Sequence, residues 1–339
     1  MHSIWSDIQV YLNQKRIEGG DCFYGFKSYI GSVFRFSEET QKQQLFATGF
    51  VKDDYKAMDA VSNAAFLTRK AWTAAGATKL FYGKLNCALF QQDRLLVPGV
   101  DLQVKLERAK DTFALFSTVT NLKPKIIIEE ATLHLLTVKV NPLIMQHHAQ
   151  QLARNVPVIY PLNRVEIDSI PIKEKARGEI KEDLFYGKVP KYMVMVMCSN
   201  TAFYGDYALN PYNFKHFNVN NLHVTRDGEP VPFERFEPNF ATGDCLREYM
   251  SLYQSNGLLG KDAIVPISFD EFKSGYTHFQ WNMSDNRKGV NAGPDQRANI
   301  KLEIKFNEPL SEAINVIMYG IFDSLVQVYG GDEVLVDGV

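Results

Sequence analysis

One order of elements is written twice along this chain, once on each side of a joint at Asn141-Pro142. In the first half, Ile8, Val10 and Leu12 alternate with Asp7, Gln9 and Tyr11, the period of two that marks a half-buried strand. A polar turn at Asn13 to Arg16 follows, and then Phe23, Phe26, Ile30, Val33 and Phe34 fall at helical spacing. Leu80 to Phe90 reads as a strand and Pro98-Gly99 as a turn. Leu102, Val104 and Leu106 form a clean alternating strand, and Ile126 to Val140 a long apolar one rich in Ile, Leu, Val and Thr. The second half repeats the order: strand and turn at Leu222 to Gly228, a helix face at Leu246 to Tyr253, an extended run at Tyr276 to Met283, an alternating strand at Ile300 to Phe306, and a long apolar strand at Ile314 to Val328. Residue identity between the halves is thin, so the repeat is one of pattern.

At the joint, Asn141 offers a capping side chain and Pro142 occupies the first helical turn, where its missing N–H costs nothing. The spacing predicts a helix from about Leu143 to Arg154, ending before Pro157, with strands at Val158 to Ile172 and Lys191 to Cys198 beyond it. Ser37 to Gly76, the mixed-charge run Lys173 to Lys181 and the Gly- and Asn-rich Ser284 to Pro294 read as loops.

Many short alternating strands with few helices point to antiparallel sandwiches, and an eight-stranded jelly roll packs two such sheets. The expected fold is all-β: two tandem jelly rolls, residues 1–153 with the joint helix and residues 154–339. The second half has strands enough for a full roll. The first does not, because nothing ahead of Ile8 corresponds to Val158 to Cys198. Its opening strands are expected from upstream sequence or from a partner chain.

Composition narrows the function. A formal net charge of −2 leaves no basic footprint for nucleic acid, and no apolar run approaches the ~20 residues of a membrane span. No secretory leader is legible at Met1 to Asp7. Cys22, Cys87, Cys198 and Cys245 form no C-x-x-C pair and read as buried reduced thiols. A metal-dependent jelly-roll enzyme needs a histidine cluster, and His2, His134, His147, His148, His216, His223 and His278 supply none at ligand spacing. No nucleophile elbow or phosphate-cradling loop occurs, and Asp53-Asp54 and Glu129-Glu130 read as solvated or strand-edge charges. We expect no catalytic residue, no cofactor and no metal, hence no enzyme. Aromatic-rich loops around Tyr204 to Tyr212 leave a glycan- or receptor-binding module as the alternative.

Several short motifs resemble the major capsid protein of Maverick/Polinton elements and adintovirus-like viruses. They are Gly99-Val100-Asp101-Leu102 with Arg108-Ala109-Lys110-Asp111 and Phe113; Tyr160-Pro161-Leu162 with Arg164-Val165; and Leu184-Phe185 with Gly187 and Pro190. Asn210-Pro211-Tyr212-Asn213-Phe214 with His216, Ser274-Gly275-Tyr276, and Ile314 to Tyr319 with Phe322-Asp323 complete the series, in order along nearly the whole chain. The resemblance implies a double jelly roll that trimerises with a pseudo-sixfold outline and tiles an icosahedral shell. It implies a virion location, a penton or minor capsid protein as a further partner, and no sequence-specific nucleic-acid binding. A domesticated cellular derivative is the variant reading if Met1 is the native start.

Overall fold

A computed structural model describes residues 1–117, 119, 122–262, 265–283, 297–331 and 333–336. Its spine is an antiparallel pair of 15-residue strands, β4 (Val158–Ile172) and β11 (Ile314–Val328), in register without a break from Ile314 opposite Ile172 to Val328 opposite Val158. On the other side of β11, β6 (Tyr192–Ser199) pairs with the first part of the strand and β12 (Val334–Val336) with its end, while β9 (Phe279–Asn282) adds to β6. Facing this sheet is a four-stranded one in the order β5 (Gly178–Lys181), β10 (Ile300–Phe306), β7 (Val219–Arg226), β8 (Glu229–Phe236). The third sheet, in the first half, has the order β2 (Lys15–Glu18), β1 (Trp5–Leu12), β3 (Leu102–Arg108). None of the three closes into a barrel among the described residues.

The burial patterns explain the two kinds of strand in the sequence. β10 buries Ile300, Leu302, Ile304 and Phe306 and turns Lys301, Glu303 and Lys305 outward, because its sheet has one wet face. β6 and the first half of β11 are buried almost without interruption, and apolar but for Ser199 and Asn315, because both of their faces are covered. Met193, Met195, Met197, Val316 and Met318 fill the sandwich. Val194, Val196, Cys198, Ile317 and Tyr319 lie on the opposite face, under helix α1 (Tyr24–Arg35). α1 brings Phe26 and Ile30 down onto that face, so a helix of the first half roofs the sheet of the second.

The far end of the spine serves the first half. Tyr160, Leu162, Val326, Val328 and Val334 share one core with Ile8, Val10, Leu12, Ile17 and Leu89. Two-residue hairpins set the edge registers. Asp227 and Gly228 both have positive φ between β7 and β8, and Asn13 and Gln14 do the same between β1 and β2. Pro230 and Pro232 on β8 withhold donors from the open edge.

Four expectations are corrected. Ile126 to Val140 runs without helix, turn or bend but pairs with no strand among the described residues, and every residue from Ile127 to Val140 is exposed. Apolar β-branched sequence stabilises a strand only where a neighbouring edge accepts its ladder. Leu80 to Phe90 is not a strand either. Asn86 Nδ2 donates to Ser28 Oγ and the Asn86 backbone N–H to Tyr24 Oη (3.1 Å), and Ala88–Gln91 forms a helical turn whose first N–H donates to Glu18 (2.6 Å). Ser37 to Gly76 holds two α-helices, Glu38–Gln43, capped by Ser37, and Ala64–Trp72, capped by Asn63, each followed by a short 3-10 turn. Lys173 to Lys181 ends in β5, an edge strand on β10. The expected loop at Ser284 to Pro294 lies outside the described residues. The joint helix spans Pro142–Ala153, with the Asn141 side chain accepting from Leu143 N.

Candidate functional site

No described group of three or more His, Cys, Asp or Glu could hold a metal ion. The histidines are dispersed: His147 and His148 sit on the joint helix, which buries none of its residues, and His2 is bonded to Tyr24 Oη (2.9 Å). Cys87, Cys198 and Cys245 are buried and free, and burial pushes all three thiols up, Cys245 to about 11, away from nucleophilic use. Cys22, expected buried, is exposed, at positive φ in the turn before α1.

What the fold concentrates instead is the contact between the two halves. Asn210 to His216 forms a loop that grips Asp53 to Asp59 of the first half. Asn210 N–H donates to Asp59 (2.8 Å), Asn213 Nδ2 to the other oxygen of Asp59 (2.6 Å), and Asn210 Nδ2 to Asp53 (3.3 Å). Arg69 holds Asp53 from behind at 2.6 Å and also donates to Val51 O. Asp53 was expected to be solvated; it is 8% exposed, because these partners replace its water. Tyr276 Oη donates to Asp53 O (3.0 Å), and Lys52 pairs with Glu271 at 2.7 Å while donating to Pro266 O. Gly275, at φ +79°, lies so close to the chain that a Cβ would come within 2.6 Å of Met58 Sδ and 3.0 Å of Tyr55 O. The first-half loop is therefore held between two second-half loops.

Aromatic rings close the same seam. Tyr212 stacks on Tyr29 of α1 at 4.1 Å, Phe26 meets Phe113 edge-on at 5.4 Å, and Phe214 and Phe34 approach the buried His278 at 5.3 Å each. Burial drives His278 down to about 4, and its Nδ1 meets Tyr276 O at 2.8 Å. His216 stacks on Phe240 at 4.1 Å and is also pushed down by burial, to about 4. Tyr204 is exposed, but Tyr212 is buried and Tyr207 Oη donates to Pro124 O, so this stretch forms structure rather than a stacking platform. An open groove of about 530 Å³ along the seam is lined by Tyr55, Met58, Asp59, Lys215, His216 and Ser274, among others. Lys215 pairs with Asp59 there at 3.7 Å, and Lys56 also lines the groove.

Asp53 tests the clamp. Asp53→Ala strips Asn210 Nδ2 and Arg69 of their acceptor and is expected to lower stability by about 1–3 kcal/mol, read from the urea midpoint. Asp54→Ala, one residue on, is the control, with a cost of about 0.5 kcal/mol or less.

The motifs singled out in the sequence thus lie at structural joints. Asn210 to Phe214 and Ser274 to Tyr276 form the seam. Leu184 and Phe185 are buried in the sandwich, and Tyr160 anchors the first-half core by donating to Leu95 O and accepting Val97 N–H. Arg108 pairs with Asp111 at 2.6 Å in front of Phe113. The Asp53–Asp59 partner loop escaped sequence reading, although Asn63 at a helix start was a cap signal in plain view.

Three antiparallel sheets in this arrangement belong to the double jelly-roll fold of viral major capsid proteins. The whole chain superposes on 84% of a chain of the PBCV-1 virus capsid, a quasi-atomic model, with a TM-score of 0.55 at 11% identity. It superposes equally completely on PBCV-1 VP54, whose crystal structure was fitted into a reconstruction of the virophage Sputnik, with a TM-score of 0.52 at 10% identity. In sequence it is 20% identical over 338 residues to "Uncharacterized protein F54H12.2" of Caenorhabditis elegans, covering 96% of this chain and 77% of that protein. No protein-family model matches the chain. No helix among the described residues is long and apolar enough to cross a membrane.

Proposed function

We propose that this protein is the structural subunit of a virus-type shell, a major capsid protein related to those of Maverick/Polinton elements, and not an enzyme. The observation that carries the reading is the superposition of the entire chain on a capsid subunit. The seam supports it: the residues of the motifs serve to hold two halves in one orientation, as a tile requires.

In this reading residues 1–153 and 154–339 are the two rolls. Three copies make six similar lobes around one axis, and such trimers tile an icosahedral shell. A six-lobed tile does not fit a fivefold vertex, so a penton or minor capsid protein fills it. The subunit recognises no nucleic-acid sequence and acts in the virion after assembly in the host cell. Sedimentation and negative-stain microscopy of the purified chain provide the test. Compact trimers with a six-lobed outline are expected, whereas a monomer at every concentration and salt condition would overturn the proposal.

A further inference from the structure

The extended segment Ile126 to Val140 is the most unusual surface on the molecule. Ile127 is 84% exposed and Leu136 85%, with Leu133, Leu135 and Val138 each half exposed or more. Among the described residues no backbone ladder takes in Ile127 to Val140, so a row of amide donors and acceptors stands beside a row of apolar side chains. Thr78 Oγ1 donates to Glu129 (3.1 Å) and the Tyr82 ring lies 6.3 Å from His134, contacts of side chains that leave the backbone edge open. Such an edge is a template for another strand.

We propose that the strand it takes is the same segment of a second copy, antiparallel, about a twofold axis at His134. The argument is complementarity of the segment with its own reverse. A twofold axis normal to an antiparallel pair keeps each residue on its face, so a residue can oppose only another of the same parity. With His134 on the axis, Glu129 faces Lys139 of the other copy, Leu133 faces Leu135, Ala131 faces Thr137, and Ile128 faces Val140. Each of these contacts occurs twice. The opposite charges meet at both ends of the paired run, and leucines flank its centre, the pattern that stabilises cross-strand neighbours. Moving the axis to Leu135 breaks this match: Lys139 then opposes Ala131, and Glu129 opposes Asn141. The contact is isologous and closed, and it holds whether or not the chain also trimerises into a shell.

Cysteine crosslinking tests the geometry in the full chain, in a Cys22→Ser background that removes the exposed thiol. On the axis, the two copies of residue 134 have Cα atoms about 4.5–5.5 Å apart, within disulfide range. His134→Cys is expected to form a covalent dimer under mild oxidation. Leu136→Cys is expected not to, since its two copies are displaced by roughly 13 Å along the strands. Charge reversal supplies an independent readout by sedimentation. Lys139→Glu should weaken the twofold association by about tenfold, and the double variant Glu129→Lys/Lys139→Glu should restore it. Equal crosslinking at 134 and 136, or association indifferent to reversal, would overturn the pairing. So would a monomer whose 126–140 amides are protected from exchange, because another part of its own chain would then cover the edge. The test is separable from the shell reading, since trimers without the 134 crosslink sink only this pairing and the crosslink without trimers sinks only the shell.

Discussion

Phe214→Ala is expected to lower the unfolding free energy by about 3–5 kcal/mol. Phe214 is fully buried where α1, β6 and β11 meet, in contact with the rings of Tyr29 and His278. Its backbone is pinned on both sides: its N–H donates to Gly275 O (2.9 Å) and its carbonyl accepts Thr277 N–H (3.0 Å). The residue's backbone therefore cannot shift to close the void that loss of the ring would leave. Denaturant unfolding of the variant measures the loss. Phe233→Ala, at an 83% exposed position on the edge strand, should cost almost nothing. A loss of under about 1 kcal/mol at Phe214 would mean that α1 is only laid against the sheet and not built into it.

Acid is expected to weaken the same seam. His278 is fully buried, and burial lowers it from 6.5 to about 4, so the folded protein holds it neutral while the unfolded chain binds a proton. Stability from this group is complete above the unfolded value of 6.5 and declines as pH falls toward 4. The gap between the two values corresponds to about 3 kcal/mol. His216, partly exposed, adds a smaller effect of the same sign. Glu18 acts in the opposite direction: burial raises it to about 7, so its contribution is present at low pH and is lost as pH rises from 4.5 toward 7. The difference between proteins isolates the histidine. Urea midpoints of the wild type and His278→Asn should converge between pH 7 and pH 4.5, since the variant no longer binds the proton on unfolding. Parallel decline of the two would show that other groups carry the acid response.

Individual elements were legible wherever a strand or helix has one wet face. β7 and β10 alternate because one face of each is wetter than the other, and α1 shows its apolar stripe for the same reason. β1 alternates in residue type although Asp7 and Gln9 are buried, Asp7 accepting from Gln9 Nε2 and Gly20 N. The bounds of β4 and β11 could be read directly, since Val158 and Val328 begin and end apolar runs between prolines and glycines. The helices at Glu38–Gln43 and Ala64–Trp72 were missed because they are short and weakly patterned, and only their caps announce them. The seam was half legible. Asn210 to Phe214 and Ser274 to Tyr276 drew notice as motifs, but their partners at Asp53 to Asp59 look like ordinary polar loop residues.

From the sequence alone came the class of the fold, the periodicities that sort strands from helices, and the turn residues. These are local properties, set by backbone preference and by the spacing of apolar side chains. Tertiary structure alone decided which faces meet. It put a first-half helix on a second-half sheet, made one strand pair serve both cores, buried Asp53 and His278, and left Ile127 to Val140 without a strand partner among the described residues. Pairing is a relation between segments far apart in the chain, and no residue carries the identity of its partner.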